Sequence, residues 1–147
     1  MDLEKLPESL TIVGGGYIGL EFAFMYADFG SKVSIIQDTE VFLPREDEDI
    51  VSAIRSSLDT KGVNVITGAK ITKIDDGTLY YESNKESKKI ESEAILLATG
   101  RRPNTDGLGC DNAGIKLSER GAVETDEHLR TSVKNIWAAG DVCGKLQ

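Results

Sequence analysis

Gly14, Gly16 and Gly19 follow one another with the spacing G-x-G-x-x-G, at the point where an apolar run gives way to a helical pattern. The first glycine of such a set allows a tight turn, the second lets a pyrophosphate approach the backbone, and the third lets a helix pack closely on a strand. The turn also aims free N–H groups at one point, where the helix dipole supplies roughly half an elementary positive charge. The spacing therefore predicts a site for the pyrophosphate of a dinucleotide. The predicted cofactor-binding residues of this turn are Gly14, Gly15, Gly16, Tyr17, Ile18 and Gly19.

The segments around these glycines predict a strand-helix-strand unit. Ser9 to Val13 is a short apolar run suited to a buried parallel strand, and Lys32 to Ile36 predicts the second strand. Between them, Tyr17 to Phe29 is apolar on one helical face and largely apolar on the other, and Gly30 closes the helix. Such a helix is expected to be covered on both sides, by its own sheet and by something else. The alternative, an ordinary turn between strand and helix without a ligand, stays open at this point.

Two polar residues follow the second predicted strand, where such folds recognise the adenosine ribose. Gln37 could hydrogen-bond a ribose 2′-OH, and Asp38 would repel a 2′-phosphate. No arginine lies between residues 37 and 44 to accept such a phosphate. NADH is therefore favoured over NADPH. The alternative is that both are merely turn residues.

The segment Arg45 to Gly62 predicts an amphipathic helix, with Ile50, Ile54 and Leu58 at four-residue intervals. Acidic residues at its start and Lys61 near its end suit the helix dipole. The acidic run is therefore interpreted as capping and solvation, and no metal site is predicted.

The remaining pattern alternates strands with turns. A third and a fourth buried parallel strand are predicted, with a three-stranded meander of short strands between them. The fold class is therefore α/β, a Rossmann-like parallel sheet flanked by helices with a three-stranded antiparallel β-meander. The predicted strands are Val63 to Thr67, Ile71 to Ile74, Thr78 to Glu82, a weak strand near Lys89 and Ile90, and Glu93 to Thr99.

The composition changes after Gly100, where helical signals become few. The predicted organisation is a linker over residues 1–8, a dinucleotide-binding domain over 9–100, and a partial segment over 101–147. Within this last segment, Ile136 to Ala139 predicts a final strand.

Charge and cysteine usage exclude several classes of partner. The 147 residues carry a net charge of −8, which argues against nucleic acid or an anionic membrane as partner. No long apolar run or signal peptide is evident, so the expected location is the cytoplasm. Cys110 and Cys143 have neither C-x-x-C nor metal-type spacing and are predicted to be free thiols.

Three motifs in order give the chain a resemblance that covers nearly its whole length. They are Gly14 to Glu21, then Ala98-Thr99-Gly100-Arg101-Arg102-Pro103-Asn104, then Ala138 to Val142. At these residues the chain resembles the FAD-dependent pyridine nucleotide-disulfide oxidoreductases, which include dihydrolipoamide dehydrogenase, glutathione reductase and mercuric reductase. The segments Phe42 to Asp47 and Gly144 to Gln147 most resemble the branch linked to reactive-chlorine and hypothiocyanite defence.

The resemblance implies roles for individual residues. Tyr17 would be the ring that covers the flavin until nicotinamide displaces it, and Glu21 would lie near the carboxamide. Ile71 would lie against the adenine, and the backbone at Gly100 would pass beside the nicotinamide half of the dinucleotide. Asp141 would bind the FAD ribitol. Alternatively, Tyr17 is a core aromatic and Glu21 a solvated helix residue.

The resemblance also implies that the chain is the central domain of a larger enzyme, in which the partial segment 101–147 would join the FAD domain of the parent protein. Its cofactor would be NAD(P)H, with NADH favoured, and FAD would be held in the parent protein, which is expected to be a homodimer. No catalytic residue is predicted in this chain, because the redox cysteine pair and the FAD and interface domains would lie elsewhere in the same polypeptide. The isolated chain is thus expected to be inactive. The alternative function is a stand-alone NAD-binding module that senses redox state without catalysis.

Overall fold

The computed structural model describes residues 3–144 of the chain, which divides into two compact units, Met1–Thr99 and Gly100–Gln147. The first unit contains all the regular strands of the described part. In chain order its elements are β1 (Ser9–Val13), α1 (Tyr17–Asp28), β2 (Lys32–Ile36), α2 (Glu48–Thr60), β3 (Asn64–Ile66), β4 (Lys70–Asp75), β5 (Thr78–Ser83), β6 (Glu86–Glu91) and β7 (Ala94–Leu97).

Four parallel strands form the main sheet in the order β3-β2-β1-β7. The register pairs Ser9 with Lys32 across β1 and β2, and Val13 with Leu97 across β1 and β7. The chain moves from β1 to β2 and on to β3 in one direction, whereas β7 lies on the other side of β1. The strand order therefore reverses at β1, and the carboxyl ends of β1 and β7 border the point of reversal.

The two faces of this sheet are covered by different elements. One face carries Leu10 and Ile12, which belong to a core cluster that includes Leu20 and Ala23 of α1 and Leu58 of α2. The opposite face has its own cluster, in which Val13 and Ile36 join Leu79 and Tyr81 of β5. Apolar residues therefore cover both faces near the carboxyl ends of β1 and β2, where Ile12-Val13 and Ile35-Ile36 are consecutive apolar residues.

The second sheet is an antiparallel meander in the order β4-β5-β6. Its pairing shifts between Ile71 and Lys73, where a β-bulge interrupts β4. Gly77 adopts a φ of 74° in the turn between β4 and β5, a conformation that glycine adopts readily. The predicted fold class, a parallel sheet with helices and a three-stranded meander, is confirmed.

Within the described residues of the first unit, helix α1 is covered mainly on one side. Leu20 is 6% exposed and Ala23 is fully buried against the sheet, whereas Phe29, on the other side, is 59% exposed. The described residues of the first unit therefore do not supply the predicted second cover. Helix α2 begins later than predicted, because Asp47 has extended backbone angles and is the N-cap residue. None of the helices in the described residues is long and apolar enough to cross a membrane.

The second unit has little regular structure. It contains the short helix α3 (Cys110–Ala113), which was not predicted, and a single 3₁₀ turn over Asp141–Cys143. The predicted strand from Ile136 to Ala139 is wrong, since only one isolated bridge joins Trp137 to Arg130. The segment instead folds back locally, with the amide of Ala138 donating to the carbonyl of Leu129. Its apolar residues are thus used in a local hairpin and form no sheet strand.

Candidate functional site

The glycine turn between β1 and α1 begins at Gly14, which takes a φ of 108°. Its amide donates to the carbonyl of Ile36 at 2.8 Å, so the turn is tied to the end of β2. A Cβ at this position would lie 2.3 Å from the carbonyl oxygen of Ala98, just beyond β7. Both the backbone angle and the close approach therefore require glycine.

Gly19 and Gly15 face other parts of the fold. A Cβ on Gly19 would lie 2.0 Å from the carbonyl oxygen of Gly14, so the absent side chain lets α1 approach the turn closely. A Cβ on Gly15 would lie 2.3 Å from Oε1 of Gln37 and 2.9 Å from the ring of Phe42. Gly15 is therefore packed against the segment that follows β2.

Gly16 differs from its neighbours, because no heavy atom lies within 4 Å of the position that its Cβ would occupy. It is exposed and serves as the N-cap of α1, without a side-chain hydrogen bond to the helix end. The amide of Leu20 makes the first intrahelical bond, to the carbonyl of Gly16. The preceding amides of Tyr17, Ile18 and Gly19 thus lie in the first turn, where α-helices have unsatisfied donors. An open, uncapped helix end of this kind can accept an anion.

The side chain of Gln37 is buried and holds its own loop together. Its amide nitrogen donates to the carbonyl and the hydroxyl of Thr39 and to the carbonyl of Val41, at 3.2, 2.6 and 3.0 Å. Both of its hydrogens are thereby used, so a ribose hydroxyl could be met only through Oε1. Asp38 is exposed beside it. The structure places both residues directly after β2, with Gln37 next to Gly15.

Tyr17 projects from the N-terminal end of α1, with 67% of its surface exposed. The alternative that it is a core aromatic is therefore wrong. Its hydroxyl donates to Oε1 of Glu46 at 2.5 Å. This hydrogen bond and the negative charge of Glu46 raise the pKa of the phenol above its ordinary value. Glu21, one turn further along the helix, is exposed.

Phe42 is a residue of this site that sequence reasoning did not assign to it. Its ring is 2% exposed, packs beside Gly15, and carries the guanidinium of Arg55 at 4.8 Å from its centroid. The available signal was a short apolar run, Val41 to Leu43, inside an otherwise polar loop. Glu46 belongs to the acidic run that is interpreted as capping and solvation, and nothing in its local sequence indicates a contact with Tyr17.

The other predicted residues lie apart from the turn in the sequence and belong to different elements. Ile71 is half-buried in β4, packed on the cluster that contains Val13 and Ile36. Gly100 belongs to the second unit, where it is exposed with a φ of 108°. Asp141, also in the second unit, forms an ion pair with Arg101 at 2.8 Å.

Among the described residues, the cysteines form no disulfide and the acidic residues form no metal-type cluster. Cys110 and Cys143 are buried free thiols, as predicted. Within residues 3–144, no group of three His, Cys, Asp or Glu side chains could hold a metal ion. The candidate site of the first unit is therefore the glycine turn, with the segment after β2 beside it.

Comparison with known proteins extends these observations. Residues 1–147 match the family profile described as pyridine nucleotide-disulphide oxidoreductase. The chain is 46% identical over its whole length to the probable pyridine nucleotide-disulfide oxidoreductase RclA of Escherichia coli, and 42% identical over 97% of its length to a dihydrolipoyl dehydrogenase of Geobacillus stearothermophilus. These matches cover 33% and 31% of the two relatives, so the chain spans about a third of their length.

Solved structures give the same result. The HOCl-induced flavoprotein disulfide reductase RclA from Escherichia coli superposes with a TM-score of 0.89 at 45% identity, covering 99% of this chain and 34% of that one. LpdA from Mycobacterium tuberculosis superposes with a TM-score of 0.84 at 32% identity, covering 99% of this chain and 32% of that one. With its three motifs, its fold and these matches, the chain belongs to the pyridine nucleotide-disulphide oxidoreductase family.

Proposed function

We propose that the chain is the nicotinamide-dinucleotide-binding module of a flavin-dependent disulfide oxidoreductase, and that it presents NAD(P)H for hydride transfer to FAD. The observation that carries this proposal is the open space at Gly16, in front of the uncapped end of α1. A pyrophosphate placed there would meet backbone N–H groups and the positive end of the helix dipole. The neighbouring glycines are closed off by protein atoms, so Gly16 is the point of the turn where a ligand has room.

The position of this opening agrees with the sheet topology. In open α/β sheets, ligands bind outside the carboxyl ends of the strands, at the point where the strand order reverses. Gly14 and Ala98 lie at that edge, after β1 and β7. We assign the adenosine half of the dinucleotide to the side of Gln37, after β2, and the nicotinamide half to the side of β7.

The remaining predicted residues take proposed roles around the same ligand. Asp38 is exposed just after β2, on the side assigned to the adenosine half, where its carboxylate would repel a 2′-phosphate, and this supports NADH as the preferred cofactor. Ile71 would contact the adenine, Glu21 the carboxamide, and Gly100 the nicotinamide half. Asp141 would contribute to FAD in the parent protein; in this chain its carboxylate is paired with Arg101.

The proposal for the parent protein rests on its relatives. They are about three times as long as this chain and include disulfide reductases described as flavoproteins. We propose a cytoplasmic, homodimeric parent in which the FAD and interface domains supply the redox centre. The 46% identity to RclA supports the branch associated with reactive chlorine.

Gly16→Val tests the proposal. The backbone of Gly16 has a φ of −80°, which valine also adopts, and its Cβ would meet no protein atom within 4 Å. The variant should therefore fold while its side chain fills the space of the pyrophosphate. Calorimetry should show binding of NADH to the unaltered chain and a loss of at least about a hundredfold in the variant, because the pyrophosphate could no longer approach the amides. Ser56→Val, which adds the same side chain on the exposed surface of α2, should bind NADH normally.

If Gly16→Val bound NADH as tightly as the unaltered chain, the glycine turn would have only a structural role and the proposal would fail. Titration with FAD in place of NADH separates the two dinucleotides of the family. If the chain bound FAD and not NADH, it would be an FAD-binding module and the proposal would fail.

A further inference from the structure

The hydroxyl of Thr39 lies at the centre of a small polar cluster in the segment that follows β2. It accepts a hydrogen bond from Nε2 of Gln37 at 2.6 Å and donates one to the carbonyl of Val41 at 3.2 Å. Nε2 of Gln37 also donates to the carbonyls of Thr39 and Val41, at 3.2 and 3.0 Å. The hydroxyl is thus the nearest of the three acceptors around the buried amide of Gln37.

These acceptors decide which end of the Gln37 side chain faces them. A carbonyl oxygen can only accept, so the atom that faces the carbonyls of Thr39 and Val41 must be the nitrogen. The Thr39 hydroxyl uses its own hydrogen toward Val41, so it too meets Gln37 as an acceptor. Turning the amide over would place Oε1 against these oxygens. That arrangement leaves buried polar atoms without donors, which is unfavourable.

The oxygen of the same amide faces the glycine turn. A Cβ on Gly15 would lie 2.3 Å from Oε1 of Gln37, and Gly15 directly precedes Gly16, where the dinucleotide has room. The backbone N–H of Gln37 is also used, since it donates to the carbonyl of Ile66 at 3.0 Å. Gln37 therefore presents an acceptor, without a donor, to the side assigned to the adenosine half.

We propose that Thr39 is a positioning residue that fixes the side-chain amide of Gln37 with Oε1 toward the dinucleotide, so that the site selects an adenosine ribose with a 2′-hydroxyl. This inference deepens the proposed function and rests on it. A 2′-hydroxyl can donate to Oε1, whereas a 2′-phosphate brings further acceptor oxygens. A glutamine that turned over easily would offer its NH₂ group to such a phosphate. The hold by Thr39 removes that option.

Asp38 acts on the same choice through charge, so the two effects have to be separated. Repulsion by its carboxylate acts on a 2′-phosphate and not on an uncharged ribose. NADH and its 2′-deoxy analogue differ only in the hydroxyl of the adenosine ribose. Their relative affinity therefore reports the hydrogen bond to Oε1 of Gln37 without the charge of Asp38.

Calorimetry on the 147-residue chain and its variants makes this comparison. NADH should bind about tenfold more tightly than 2′-deoxy-NADH to the unaltered chain. Thr39→Val removes the hydroxyl at an exposed position and keeps the branched side chain, and the preference should fall to about threefold or less. Thr39→Ser keeps the hydroxyl and should keep the preference. Thr60→Val, the same substitution at an exposed threonine of α2, should also leave it unchanged.

Gln37→Met tests whether Thr39 acts through Gln37. This variant removes the amide, so NADH and 2′-deoxy-NADH should bind equally, and adding Thr39→Val should change nothing further. A full preference in Thr39→Val, or its loss in Thr39→Ser, would overturn the inference. Equal binding of both ligands to the unaltered chain would overturn it and leave the proposed function intact. Binding of neither ligand would overturn the proposed function and this inference with it.

A measurement without ligand tests the hold itself. Gln37→Glu would place a carboxylate against the same acceptor oxygens, so the midpoint of urea unfolding at pH 7 should fall by roughly 1 M. Asn64→Asp is the matched control, because it makes the same amide-to-carboxylate change at an exposed residue of β3, and its midpoint should shift much less. Equal midpoints for Gln37→Glu and the unaltered chain would show that the cluster does not require the NH₂ group. That result would overturn the inference even if NADH bound.

Discussion

Replacing Gly19 with alanine should destabilise the first unit through one close contact. The new Cβ would lie 2.0 Å from the carbonyl oxygen of Gly14 and 3.2 Å from its carbonyl carbon. Both atoms belong to the backbone of a turn that is tied to β2 and abuts Ala98, so they cannot move freely. Helix α1 would have to move away from the strand by roughly 1 Å or more.

The magnitude follows from three contributions. Overpacking of this kind costs about 1–3 kcal/mol, and the moved helix also loses part of the packing of Leu20 and Ala23, which are 6% and 0% exposed. Alanine also restricts the conformations of the unfolded chain, which stabilises the folded state by about 0.4–1 kcal/mol. The expected net loss in the free energy of unfolding is therefore about 1–3 kcal/mol.

Gly16→Ala is the matched control, because the same methyl group is added three residues earlier in open space. Alanine is a poorer N-cap residue than glycine, and the expected cost is about 1 kcal/mol or less. Equilibrium unfolding in urea, followed by far-UV circular dichroism, measures both variants. Gly19→Ala should lower the midpoint by about 1 M. Equal midpoints for Gly19→Ala and the unaltered chain would refute the reasoning, as would a larger loss in Gly16→Ala.

Two further predictions concern cofactor choice and catalysis. NADH should bind better than NADPH, and Gln37→Arg with Asp38→Ala should shift the ratio toward NADPH by about tenfold, because arginine can bind a 2′-phosphate through two hydrogen bonds. Competition titrations that show NADPH preference in the unaltered chain would contradict this. The isolated chain should purify colourless, without FAD and without NAD(P)H-dependent disulfide reductase activity, because one carboxylate at Asp141 supplies no enclosed flavin pocket. A yellow preparation or turnover of a disulfide substrate would show the opposite.

Local sequence determined the main elements of the first unit. Strands β1 and β2 have the predicted bounds, since short apolar runs between turn residues have few other ways to bury their side chains. The glycine spacing likewise predicted where the backbone turns tightly and where helix and strand come close. Gly14 and Gly19 meet these requirements within a few residues of each other. Such constraints depend on neighbours along the chain, so they can be read from the sequence.

Tertiary structure alone decided which distant residues complete the site. Tyr17 and Glu46 are 29 residues apart, and the packing of Phe42 and Gln37 against Gly15 depends on how the chain returns after β2. The segment Ile136 to Ala139 has the composition of a strand, yet it forms a local hairpin with residues near Leu129. Periodicity and composition report how much of a segment is buried. They do not report which partner buries it, because the partner is selected by the path of the whole chain.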